Sequence, residues 1–303
     1  MGYPAFAHSV NDEISFLFML ISLSQAQIPD YNIDSMMRLR KLDTLNGSVK
    51  TYYSPGNKDR AIIGQDLIQK AVSYYIKKYK VSFSVKLVML DSSQWVHDLF
   101  PWGVNFFSNG WAIVNTGTDP ELLLSTLVSK EKRAGLDSVF RKQNLSQEEF
   151  LFKTDMVTII HELGHHYVMK ILKISTPGMW FNEMGANYFA YNFFNKMGLP
   201  HYQQMIPAYQ FAANSAEPQY KEIITWDTLN VKMPSDNFVW FDAHTQILIQ
   251  NIYSEIGETF LDNFIKTFSG KQPHELELEY TIKEIDRFSN GLVKQWRTEM
   301  RKL

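Results

Sequence analysis

Five residues near the middle of the chain, His161-Glu162-Leu163-Gly164-His165, have the types and spacing for metal-assisted hydrolysis. Residues four apart on an α-helix share a face, so both imidazoles can reach one ion. Glu162 falls beside them, within hydrogen-bonding reach of a water held by that ion. Zinc suits imidazole and carboxylate donors and lowers the pKa of its water towards neutrality. A glutamate then takes the proton as the oxygen attacks a carbonyl. With 8 His in the chain, chance supplies on the order of 0.01 HExxH matches, so the pattern is informative. The bland alternative is a surface helix that happens to hold two histidines. The context argues against it: Met156, Val157, Ile159, Ile160, Leu163, Tyr167, Val168 and Ile171 recur at the helical period from about Thr154 to Leu172. Gly164 costs such a helix roughly 1 kcal/mol relative to Ala. It admits close approach by another segment and so fits a crowded site.

A catalytic zinc takes three protein ligands and keeps one open position. The segment Trp180-Phe181-Asn182-Glu183-Met184-Gly185-Ala186-Asn187-Tyr188 offers the third. Glu183 lies eighteen positions after His165 (183 − 165), across a Pro177-Gly178 break. A helix–turn–helix of that length brings the second helix back against the first. In so apolar a neighbourhood a buried carboxylate needs a partner. The expected ligand set is therefore His161, His165 and Glu183, holding one Zn2+ per chain. His166 points off the ligand face and is not expected to join it.

HELGH followed by WFNEMGA resembles the gluzincin metallopeptidases, the superfamily of thermolysin and aminopeptidase N. The resemblance covers about residues 154–192 directly and extends more weakly to 61–130 and 242–268. It implies a zincin-like fold, a zinc ion on His161, His165 and Glu183, Glu162 as general base, and a peptide or protein substrate. Such proteins often place a hydrogen-bonding side chain four residues after the glutamate ligand, to orient the first histidine. Here that position is Asn187, where an aspartate would orient the ring better. The family also supplies a Tyr or His from its second lobe as oxyanion donor. His244 is the first choice, with Tyr253 and Tyr209 as alternatives. Where many relatives carry that Tyr this chain has Phe241-Asp242, a departure that puts the donor in question. Gly110-Trp111-Ala112-Ile113-Val114-Asn115 is expected as the edge strand beside the site, able to hold an extended peptide. It lacks the Glu of the Gly-x-Met-Glu-Asn motif with which aminopeptidase relatives grip an α-amine, which argues against that type of exopeptidase. The competing reading is a metal-binding but catalytically silent relative that acts as a binding protein.

The elements that must position these residues follow from periodicity. Residues 61–79 carry one apolar helical stripe, and Val81 to Leu90 then alternate as a strand. A short strand is expected at Trp111 to Asn115, a turn at Thr116 to Pro120 and a helix from Glu121. Helices are expected at about 181–196, 242–256 and 258–268. Ile285, Phe288, Leu292, Trp296 and Met300 continue at helical spacing. Residues 201–236, polar and containing Gln and Pro, read as irregular. The fold class is α+β: a small mixed or antiparallel sheet lobe with the HExxH helix (27–198), then a mainly helical lobe (199–303), the two making one catalytic unit.

Composition narrows the function. Lys+Arg 30 against Asp+Glu 32 gives no basic surface for nucleic acid. Cys 0 removes disulfides, thiolate zinc sites, iron–sulfur clusters and a cysteine nucleophile. No segment has the length and continuity of a membrane span. Ile14 to Leu23 has the length of a signal-peptide h-region, and Ser24-Gln25-Ala26 offers small residues for cleavage after Ala26, although no Lys or Arg precedes it. Residues 1–26 are thus expected to direct export; otherwise the protein is cytoplasmic.

Overall fold

The computed structural model describes residues 41–82, 84–91, 106–108, 110–116, 127–174, 178–229, 233–272 and 275–302. The expected signal segment lies outside them, as do the turn from Gly117 to Pro120 and most of the helix expected from Glu121.

Short apolar strands build a five-stranded mixed sheet from β1 (Asp43–Leu45), β2 (Lys50–Tyr53), β3 (Lys86–Leu90), β4 (Phe106–Ser108) and β5 (Trp111–Asn115), in the order β1-β2-β3-β5-β4. β2, β3 and β5 run parallel, and the two outer strands pair antiparallel to their neighbours. Helix α1 (Lys58–Tyr79) makes the crossover between β2 and β3. Leu87 to Leu90 are all buried, as expected of a central parallel strand. The strand expected from Val81 begins only at Lys86. Earlier carbonyls are taken by side chains of the HExxH helix: Tyr167 donates to Val81 O and Lys170 to Ser82 O, leaving those groups no ladder to join.

β5 is not the edge strand, which corrects the expectation. β4 covers it, with Phe106 opposite Ile113 and Ser108 opposite Trp111. Asn109-Gly110 between two apolar runs is the signal for such a hairpin. Gly110 adopts φ +83°, and a Cβ there would stand 2.9 Å from Ser84 O.

The rest of the described chain is helical. A 3₁₀ turn (Lys130–Lys132) leads into α2 (Arg133–Lys142) and α3 (Gln147–Leu172), then α4 (Met179–Lys196), α5 (His201–Ser215), α6 (Ile223–Leu229), α7 (Ser235–Ile256), α8 (Thr259–Phe268), α9 (Leu278–Phe288) and α10 (Leu292–Met300). Ser146 and Glu149 form a reciprocal capping box that starts α3. Asn290 and Gly291, both at positive φ, separate the last two helices. None of the helices is long and apolar enough to cross a membrane.

Residues 201–236 are largely helical, against expectation. Pro207 sits inside α5, where a missing N–H costs about 3 kcal/mol. Tyr202, Met205, Ile206, Ala212 and Ala213 nevertheless follow the helical period and are buried. Burial at roughly 1.5–3 kcal/mol per large apolar side chain outweighs the proline. α5 packs on α7 and α3, and Tyr75 of α1 donates to Phe189 O of α4 at 2.7 Å. The apolar core is one cluster running from Val49 of the sheet lobe to Met300 of α10.

Candidate metal centre

α3 supplies His161, Glu162 and His165; α4 supplies Glu183. The two helices are neighbours because Gly164 lets them touch. A Cβ at Gly164 would meet Ala186 O at 2.9 Å and Ala186 Cα at 3.1 Å. The N-terminus of α4 has no cap of its own, and Asp227 of α6 accepts from the Trp180 amide at 2.8 Å instead.

His161, His165 and Glu183 converge with one ligand atom each, all within 4.8 Å of one another. Glu183 Oε2 stands 3.3 Å from His161 Nε2, and Glu183 Oε1 stands 3.6 Å from His165 Nε2. Tetrahedral zinc with bonds of about 2.0–2.1 Å sets neighbouring ligand atoms about 3.3–3.4 Å apart; the His161–Glu183 pair has that spacing, and the full set, inside 4.8 Å, would draw in slightly around an ion. The imidazole planes lie at 86° to each other, so the nitrogens approach a common point from different directions.

The electrostatics fit a cation equally well. Glu183 is 0% exposed and neither of its carboxylate oxygens has a hydrogen-bond partner among the described residues. Burial pushes its carboxyl up to about 8, against the opposing pull of His165. Burial also holds His161 down to about 4. Glu162 is raised well above the usual carboxylate range, first by burial and then by Glu183 beside it. Two carboxyls and two imidazoles buried this way are costly unless a positive charge joins them.

Asn187 takes the position expected of it. His161 Nδ1–H donates to Asn187 Oδ1 at 2.8 Å, which directs Nε2 of the same ring towards Glu183. Three further residues, not singled out from the sequence, complete this network. Gln246 Nε2 donates to Asn187 Oδ1 at 2.9 Å and to Asp242 Oδ1 at 3.1 Å. The Tyr202 hydroxyl contacts Gln246 Oε1 and lies 3.2 Å from Asn187 Oδ1. Asp242 is buried and pushed up to about 7, chiefly by burial and then by Glu183. The four-residue spacing of Asp242 and Gln246 marks them as one helical face, but nothing in the sequence says which way that face turns.

His244 is not brought to this cluster. It lies two positions from both Asp242 and Gln246, about 200° around the helix from each. Its ring packs edge-on to Trp240 at 4.7 Å, and its carbonyl accepts from Trp296. Of the alternatives, Tyr209 is half-buried and feels Asp242, while Tyr253 packs on Tyr188 and Tyr191. A scan against protein-family models finds no match for this sequence, and neither the curated proteins nor the solved structures yield one.

Proposed function

We propose that the protein is a zinc-dependent peptidase with a gluzincin-like, zincin-type active site. One observation carries the reading: two imidazoles of one helix and a carboxylate of the next are buried together with one ligand atom each inside 4.8 Å, the His161–Glu183 pair at the ligand spacing of tetrahedral zinc. His161, His165 and Glu183 would hold the ion, which would supply Lewis-acid polarisation of the carbonyl and a water of lowered pKa. Glu162 accepts the proton of the attacking water and hands it to the departing amine. Burial and the neighbouring Glu183 raise its pKa, the direction that makes a carboxylate a stronger base. Asn187 holds the His161 ring so that Nε2 faces the ligand point. The substrate would be a peptide or protein.

A second reading, metal binding without catalysis, draws on Asp242. Phe241-Asp242 stands in the sequence where the resemblance expects a Tyr, and Asp242 Oδ1 accepts from Gln246. Two measurements separate the readings. Elemental mass spectrometry of protein purified without chelator should give close to one zinc per chain, lost in His161→Ala. In Glu162→Gln, zinc should remain while cleavage of a broad peptide library falls by about 10²–10⁴-fold. A folded protein that takes up no zinc sinks both readings. Zinc without any wild-type hydrolysis favours the second.

A further inference from the structure

Binding an ion through Nε2 requires the neutral His161 ring with its proton on Nδ1, because a protonated nitrogen has no lone pair to offer. That tautomer persists only while the neighbouring side chain presents an acceptor to Nδ1. An aspartate would do so with either oxygen. Asn187 does so with one end of its amide: turned over, it would present Nδ2 and favour the opposite tautomer. Asn187 Nδ2 is buried with no acceptor among the described residues, so none of them holds the amide on that side. The orientation is decided on the oxygen side, where Gln246 Nε2 donates at 2.9 Å. Gln246 is itself oriented. Its Nε2 also donates to Asp242 Oδ1 at 3.1 Å, and its Oε1 receives the Tyr202 hydroxyl. Turned over, Gln246 would set Oε1 against the oxygens of both Asp242 and Asn187, acceptor against acceptor.

We propose that Gln246, held by Asp242 and Tyr202, is a positioning residue that locks the Asn187 amide and so selects the metal-binding tautomer of His161. The proposal rests on the metal-site reading given above. It assigns Gln246 the work that an aspartate at position 187 would do alone.

The test combines two readouts on the full chain. Long-range ¹⁵N–¹H NMR of the metal-free protein reports the His161 tautomer, and competition with a chromophoric chelator reports zinc affinity. The wild type should show Nδ1–H. Gln246→Met should shift His161 towards Nε2–H and weaken zinc binding by about 10–100-fold. Adding Asn187→Asp to that variant should restore Nδ1–H and bring affinity back within about threefold of wild type, because a carboxylate needs no locking. Gln246→Glu keeps the shape and turns an acceptor towards Asn187, so it should shift the tautomer even if the Met variant fails to fold. Nε2–H in the wild type, an unchanged tautomer in both Gln246 variants, or a double variant no better than Gln246→Met would each overturn the proposal. A wild type with Nδ1–H that binds no zinc would count against the zinc-peptidase reading and leave the lock standing.

Discussion

Glu183 is fully buried, both imidazoles stand within 4 Å of its oxygens, and its carboxyl is pushed up to about 8. A metal-free fold therefore prefers this group uncharged, and a charged carboxylate there is costly. Glu183→Gln replaces it with a neutral group of the same shape. With chelator present, thermal unfolding of the variant should match or exceed the wild type. Added zinc acts differently. At about 100 times the dissociation constant, linkage stabilises the wild type by about 2.7 kcal/mol, a Tm rise of about 5–10 °C. The variant should show no such rise. A zinc response that survives Glu183→Gln would remove Glu183 from the ligand set.

At the level of elements, the site exists because α3 and α4 touch at Gly164, one helical turn from Glu183's own neighbourhood. A methyl at Gly164 would press on Ala186 O and Phe189 of α4. Alanine has the better helix propensity by roughly 1 kcal/mol, so on local grounds Gly164→Ala should stabilise. Backbone cannot move aside as a flexible side chain can, so overpacking should win. Overpacking of about 1–3 kcal/mol less that gain leaves an expected net loss of up to about 2 kcal/mol by urea unfolding. Zinc affinity should fall with it, because α4 carries Glu183 away from the α3 histidines. A stabilised variant with unchanged zinc affinity would show that the contact tolerates a Cβ.

Across the whole molecule, one apolar core joins the sheet to the last helix, with titratable side chains packed against it and His244 half-buried among them. His244 is the clearest away from the metal centre: burial holds it down to about 4, and its Nε2 has no hydrogen-bond partner among the described residues. The folded pKa lies below the unfolded value of 6.5. Its contribution is therefore complete above about pH 6.5 and is lost as pH falls towards about 4. Urea unfolding at pH 7 and pH 5, with chelator present, should show a smaller acid loss for His244→Gln than for wild type, by up to about 2 kcal/mol. The same variant should keep its zinc affinity, since the ring packs against Trp240. Equal acid losses would mean that His244 is free to ionise in the folded protein. A fall in zinc affinity would return it to the site.

The local parts of this protein are legible in its sequence. His161 and His165 share a face because the helix repeat puts residues four apart together. The periodic runs around them mark α1, α3, α4 and α7 for the same short-range reason. Glu183 could be reached because only six residues, 173–178, separate its helix from α3. Beyond that range the tertiary structure decides. α5 forms despite Pro207 because burial against α3 and α7 outweighs the local cost. β5 becomes internal because a hairpin folds β4 over it. The chemistry of histidine singles out His244 in the sequence, yet the packing of α7 turns Asp242 and Gln246 towards Asn187 instead. Those contacts join residues 59 apart in the chain, as Gln246 and Asn187 are. Helical periodicity defines which residues share a face; only the packing of the whole molecule determines what that face meets.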